Sequence, residues 1–148
     1  MEIPWAADCI FASVNHWIIK SEPFKYSWEQ FEKDGKTFWD GVRNFQARNN
    51  LREMKKGDLC LYYHSNEGKE MVGVARVIKE SYPDPTTDDK NWVVVDVEPF
   101  QKLKNPVSLA AMKADARLSN LGLIRQSQLS VIKVSKDEFD IILSLSEN

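Results

Sequence analysis

Apolar residues fall in short runs whose spacing alternates between two and three-to-four along the chain, and each change of period marks an element. His16-Trp17-Ile18-Ile19-Lys20 is a β-branched and aromatic run that ends in Ser21-Glu22-Pro23, which predicts a strand entering a turn. Ser27-Trp28-Glu29-Gln30 has the pattern of a capping box and predicts a short helix from Trp28 to about Lys33, closed by Asp34-Gly35. After Trp39-Asp40-Gly41-Val42-Arg43-Asn44, a helical pattern runs to Met54. Ala47, Leu51 and Met54 stand at i, i+4 and i+7 and form its buried stripe, while Arg48, Arg52 and Lys55 repeat that spacing on a neighbouring exposed face. Gly57 ends it.

Leu59–His64, Met71–Lys79 and Trp92–Val97 predict three strands, the last two separated by a polar, Pro-rich loop from Ser81 to Asp89. Ser108–Lys113 predicts a short helix, Leu121–Ile124 is a brief apolar segment, and Leu129–Val134 predicts a final strand. A second capping box, Ser135-Lys136-Asp137-Glu138, opens a terminal helix with Phe139, Ile142 and Leu143 inward. Hairpin-like links in the middle favour antiparallel or mixed pairing. The expected architecture is α+β: a small curved sheet or barrel with short helices outside it.

Composition adjusts this picture only slightly. The 148 residues suffice for one domain with an ordinary core. Residues 1–15 fit neither a strand nor a capped helix and are set apart as an N-terminal extension to a domain at 16–148. The extension either packs back through Trp5, Ile10 and Phe11 or is loose. It carries Glu2 and Asp8 and no Lys or Arg, which disfavours a secretory signal. No run of ~18 apolar residues is present, so no membrane partner is expected. Cys9 and Cys60 without a CxxC argue against a disulfide framework or zinc site and for a cytoplasmic protein.

Enzyme signatures are absent: there is no GxSxG, GxGxxG, P-loop or HExxH. The spacing of His16 and His64 does not demand a metal, and neither metal nor cofactor is expected. The formal net charge is −2, so a polyanion must be held by a local patch. One candidate patch exists. Arg43 to Lys56 holds five basic residues against Glu53 alone, a local charge of +4, whereas Glu80 to Glu98 holds six acids against Lys90. This segregation fits either a solvated helix face or an electropositive face for nucleic acid. Trp39, just before the basic helix, is likewise either a core indole or a wall on which a base stacks, worth ~1–3 kcal/mol.

Lys20-Ser21-Glu22-Pro23, Tyr26-Ser27, Trp39-Asp40-Gly41-Val42-Arg43-Asn44 and Tyr63-His64-Ser65 together resemble the EVE domain. Tyr82-Pro83-Asp84, Trp92, Arg125-Gln126-Ser127 and Phe139-Asp140 extend the resemblance from His16 to the C-terminus. It implies a PUA-like fold, relatedness to YTH and ASCH domains, and a module that reads a modified base, modified cytosine in DNA foremost. Trp39 and Lys20-Ser21 stand where YTH domains place a cage wall and its neighbouring strand end. The implied base-binding set is therefore Lys20, Ser21, Tyr26, Trp39, Asp40, Asn44, His64, Ser65 and Tyr82, with Tyr26, Tyr82 or Trp17 as the second wall. Arg43, Arg48, Arg52 and Arg125 are the implied phosphate holders. The partner is a nucleic acid, DNA or RNA, carrying the modified base; the chain is a monomer or weak homodimer. One alternative is a small amidohydrolase acting on a modified nucleoside, as among ASCH relatives, through Lys20, Ser21 and Glu22; alternation along a strand argues against their convergence. Another is an interaction domain whose pocket is vestigial.

Overall fold

A computed structural model describes residues 14–147. The extension's Trp5, Ile10 and Phe11, with Cys9, lie outside the described residues. Six strands form one mixed sheet: β1 (His16–Ser21), β2 (Thr37–Phe38), β3 (Leu59–His64), β4 (Glu70–Pro83), β5 (Val93–Ser108) and β6 (Val131–Val134). The described helices are α1 (Trp28–Asp34), α2 (Phe45–Glu53), α3 (Leu109–Ala114), α4 (Gly122–Arg125) and α5 (Lys136–Ser146), with a 3₁₀ turn at Ala116–Leu118. The strand order is β2-β5-β4-β3-β1-β6. β1 runs parallel to β3, from His16 opposite Leu59 to Ser21 opposite His64, and antiparallel to β6. The remaining ladders are antiparallel. β2 and β6 are the two ends of the hydrogen-bonded order.

Both faces of the middle strands β1 and β3 are buried, so period-2 patterning disappears there. Trp17, Ile18 and Ile19 of β1 are all buried, as is every residue of β3. A strand wrapped on both faces reads as a continuous apolar run. Among the described residues, no helix is long and apolar enough to cross a membrane.

The structure corrects the strand ends. β5 was expected to stop at Val97 and continues to Ser108. Pro99 and Pro106 mimic a break because proline donates no ladder bond. The sheet absorbs them at bulges: the β4–β5 register shifts between Val74 and Ala75, where Ala75 faces Pro99. It shifts again between Met71 and Gly73, which skips the segment holding Pro106. β2, two residues long, carries no pattern of its own and was not anticipated; it pairs Thr37 with Val97 and Phe38 with Asp96.

The helix caps form as the sequence dictates, with one difference. Ser135 and Glu138 make the full reciprocal box. Ser27 accepts from the Gln30 amide at 3.1 Å, but the Gln30 carboxamide reaches forward to Asp34 at 2.9 Å, so the first box is half a box. α1 packs on β4 at Gly73, where an added Cβ would come within 2.5 Å of the Trp28 ring. Buried Asp58 ties three segments together. It accepts from the Trp17 indole at 3.0 Å, the Lys55 amide at 2.9 Å and the Asn15 amide at 3.1 Å.

Candidate functional site

The chain between β1 and α2 builds a hollow. β1 ends at Ser21. α1 begins where His64 of β3 supplies a ring nitrogen: Nε2 accepts from the Trp28 amide at 3.1 Å, one of the donors that a helix N-terminus leaves free. The acceptor role assigns the neutral Nδ1–H tautomer, and burial lowers the His64 pKa below its ordinary 6.5. Gly35, at φ 75°, closes α1, and its amide donates to Phe31. β2 then delivers Trp39, whose amide donates to the Val95 carbonyl at 2.8 Å. Gly41, at φ 76°, takes the left-handed turn that leads to Asn44, the cap of α2.

Trp39 is only 8% exposed, so most of its ring belongs to the core. Its centroid lies 5.5 Å from that of Tyr62 and 6.3 Å from that of Tyr26, at interplanar angles of 81° and 70°. Neither neighbour stacks parallel on the indole. What remains open lines a cavity of about 400 Å³, shared with Lys20, Ser21, Lys25, Tyr26, Thr37, Phe38, Asp40 and Gly41. Small-molecule sites usually run from ~300 to 1,000 Å³, so a pyrimidine nucleoside fits by volume.

The polar groups around this cavity are fixed by specific bonds. Lys20 is half-buried, its ammonium donates to the Ser127 carbonyl at 2.8 Å, and burial lowers its pKa. The Tyr26 hydroxyl donates to Asp34 at 2.7 Å; burial first, and that bond second, push its pKa up to about 12. The Tyr62 hydroxyl donates to the Tyr26 carbonyl at 2.7 Å and fixes Tyr26 from behind. Asp40 is exposed.

Two further hollows continue from the first. One, of about 360 Å³, shares Lys20, Ser21 and Lys25 with it and adds Glu22, Ser65, Asn66, Ser127, Gln128 and Ser130. The next, of about 340 Å³, shares Ser127 and Gln128 with the second and reaches Asn44, Gln46 and Arg125.

Lys20, Ser21, Tyr26, Trp39 and Asp40 of the expected base-binding set thus meet at one cavity, and Ser65 stands in the adjoining hollow. The others stand elsewhere. Asn44 lines the third hollow, and its side-chain oxygen caps α2 by accepting from Ala47 at 3.0 Å. His64 is buried under α1 and lines none of the three hollows. Tyr82 lies on β4 and donates to Asp96 at 2.5 Å. Trp17 is fully buried.

The arginines separate too. Arg43 pairs with the buried Asp84 at 3.0 Å and lies over Trp92, 5.6 Å from its centroid. Burial raises the Asp84 pKa, but the Thr86 hydroxyl and amide and the Arg43 guanidinium outweigh it and leave the carboxyl below its ordinary value. Arg48 lies 4.8 Å from the Phe45 centroid, and Phe45 stacks on Trp92 at 5.1 Å. Arg125 donates to the Ser119 carbonyl at 2.8 Å and lines the third hollow, while Arg52 is exposed and lines none of them.

Sequence reasoning missed Lys25, Thr37 and Phe38, which line the cavity. The available signal was adjacency, since they flank Tyr26 and Trp39. It also assigned no role to Ser127. Lys20, Ser21 and Glu22, whose convergence strand alternation argues against, all line the second hollow.

Comparison with known proteins places this geometry in context. Residues 15–145 match the EVE domain family. Human thymocyte nuclear protein 1 is 34% identical, with 95% of this chain and 77% of that protein aligned. A crystal structure of the human THYN1 protein in complex with 5-methylcytosine-containing DNA superposes with a TM-score of 0.85. It is 34% identical and covers 90% of this chain and 98% of its own. The YTH domain of Zygosaccharomyces rouxii MRB1, solved with N6-methyladenosine RNA, has the same fold at TM-score 0.59 and 16% identity, covering 90% and 87% of the two chains.

Proposed function

The chain belongs to the EVE domain family, and on that premise we propose that its domain at 16–148 is a nucleic-acid-binding module that reads a modified base, modified cytosine in DNA foremost. The carrying observation is Trp39: a mostly buried indole that nevertheless lines a 400 Å³ cavity beside Lys20 and Lys25. The human relative's complex with 5-methylcytosine-containing DNA supports the choice of base.

In this reading the base leaves its stack, at a cost of a few kcal/mol, and enters the Trp39 cavity. The indole stacks on it, and Tyr26, held by Tyr62 and Asp34, supplies the second wall. Ser21 and Asp40 address the polar edge. A methyl group that replaces poorly held water adds ~0.8 kcal/mol. His64 and Asn44 act through position, by fixing the starts of α1 and α2. Arg125 and the Arg43–Arg48 surface face the polyanion around the cavity, and Arg52 adds charge beyond it. Tyr82, bonded to Asp96, supports the outer part of β4. The sheet is the open form of a PUA-like barrel, and the protein acts as a monomer or weak homodimer in the cytoplasm, or in the nucleus as the relative's name indicates.

The test is fluorescence anisotropy with oligonucleotides that differ only by 5-methylcytosine against cytosine, at two salt concentrations. The wild type prefers the modified strand; Trp39→Ala loses the preference and keeps weak, salt-sensitive binding. Equal wild-type binding of both strands refutes the reading.

The presence of Lys20, Ser21 and Glu22 in the lining of one hollow favours a second reading, an amidohydrolase of acylated cytidines. Against it, the three groups bond elsewhere: Lys20 to Ser127, the Glu22 carboxylate to Asn66 and Lys25, and the Ser21 hydroxyl to the Glu22 carbonyl at 3.4 Å. Release of cytidine and the free carboxylate from acylated cytidine on incubation with the protein decides for this alternative.

A further inference from the structure

We propose that the 360 Å³ hollow beside the Trp39 cavity is a phosphate subsite, which takes the phosphate of the nucleotide whose base occupies that cavity. The inference rests on the base-reading function proposed above and adds the anchor that function lacks.

Three observations carry it. The first is continuity: Lys20, Ser21 and Lys25 line both hollows, so one ligand can span them. A base and its phosphate are separated only by a sugar, so adjoining chambers suit them.

The second is donor chemistry. The hollow is lined by four serines, Ser21, Ser65, Ser127 and Ser130, with Asn66, Gln128, Lys20, Lys25 and Glu22. No aliphatic or aromatic residue lines it. Hydroxyls and ammonium groups suit phosphate oxygens, and charge-assisted bonds are the strong members of that set.

The third is the balance of charge. Glu22 is the one acid in the lining, and it is engaged by Lys25 at 3.5 Å and by the Asn66 amide. Lys20 and Lys25 against Glu22 leave the hollow with a formal charge of +1. The Lys20 ammonium has three donors and gives one to Ser127, which leaves two for a ligand. Burial lowers its pKa, and an anion in the hollow opposes that shift.

This assignment moves the phosphate contact nearest the base away from the arginines. Arg43 is held by Asp84 and Trp92, and neither Arg43 nor Arg48 lines the cavity or the hollow.

The test uses six compounds: 5-methyl-2′-deoxycytidine, its 3′- and 5′-monophosphates, and the same three of plain deoxycytidine. Each is titrated at low salt into the ¹⁵N-labelled full chain. The Trp39 indole N–H reports the cavity, and the Ser65 and Ser127 amides report the hollow. One monophosphate of each base is expected to bind at least about tenfold tighter than its nucleoside and to shift Ser65 and Ser127. Lys25→Gln, whose side chain is 70% exposed, and Ser65→Ala remove most of that gain. Lys104→Gln, which lines neither chamber, leaves it intact.

Equal binding of nucleosides and monophosphates overturns the subsite while the methyl preference can stand. So does a gain that survives both Lys25→Gln and Ser65→Ala. A gain that is present without any preference for the methylated base upholds the subsite and refutes the base reading. No binding by any of the six compounds overturns both. A short single-stranded oligonucleotide with the same central base separates the sources: competition with the monophosphate identifies a polynucleotide phosphate, and monophosphate binding without competition identifies a free nucleotide.

Discussion

Gly73→Ala is the sharpest test of how the site is held up. Gly73 faces the Trp28 ring, and an added Cβ would lie 2.5 Å from Cη2 and 2.6 Å from Cζ2 and Cζ3. Ordinary contact begins near 3.4 Å, so the ring or the strand must move by roughly 1 Å. The ring has no free direction. Trp28 is 1% exposed and packs against Phe31, with centroids 5.5 Å apart, and against Tyr62, at 5.4 Å. Overpacking of this kind costs ~1–3 kcal/mol, and a ring walled on several sides belongs at the upper end. Gly73 does not use a left-handed backbone, so alanine also stiffens the unfolded chain and returns ~0.4–1 kcal/mol. The net loss is about 2 kcal/mol, equivalent to a melting temperature lower by ~4–8 °C.

Urea unfolding followed by tryptophan fluorescence measures this loss. Trp28→Phe, which deletes the three clashing atoms, provides the internal check, because in that background the same glycine substitution should cost less than about 1 kcal/mol. A loss below about 0.5 kcal/mol for Gly73→Ala alone, or an equal loss in both backgrounds, refutes the packing argument. Because Tyr62 also contacts Trp39 and bonds the Tyr26 carbonyl, the displaced ring should additionally weaken base preference in the folded fraction.

The remaining predictions are more local. Asp58→Ala leaves the Trp17 indole and the Lys55 and Asn15 amides without their acceptor, and should cost at least about 3 kcal/mol in urea unfolding. Burial depresses the pKa of both His16 and His64 below 6.5, so the unfolded chain takes up protons first as pH falls. Stability should therefore be full above pH 6.5 and decline below it, by at most ~2.7 kcal/mol per pH unit for two protons. The depressed carboxyls Asp34, Asp84 and Asp115 act only near and below their ordinary value of 3.8, so urea midpoints at pH 7.5 and 5.5 isolate the histidines. Equal midpoints contradict the account, and His64→Gln should flatten part of the slope. Trp39→Ala, finally, should unfold at a lower urea concentration than wild type as well as lose base preference, since its ring is mostly core.

Local signals in this chain were reliable where the physics is local. Ser27, Asn44, Ser108 and Ser135 cap their helices, and the strands at His16, Leu59 and Met71 are found where alternation or β-branching put them. What the sequence concealed depends on long-range partners. Pro99 and Pro106 look like strand breakers until the bulges opposite them are seen. Thr37-Phe38 becomes a strand only because Asp96 and Val97 lie beside it. At the site, aromatic identity was legible and side-chain commitment was not. Arg43 reads as a free cation, yet its partner Asp84 lies 41 residues away. His64 reads as a base-binding residue, yet it is spent on the start of α1. Lys20, Ser21 and Glu22 read as alternating, and all three line one hollow.

The placement of β1 has a consequence for biosynthesis. Its two hydrogen-bonding edges are taken by β3 and by β6, so one of them waits for residues made more than a hundred positions later. Until Val131–Val134 emerges, a strand of buried aliphatic and indole side chains shows an unpaired edge, the feature most prone to sticking to a like chain. The same late segment carries Ser127 and Ser130, so the lysine at position 20 has no wall to lean on before then. The hollow around Lys20 and the outer edge of β1 are thus completed by the same segment, and synthesis halted before it leaves that edge open.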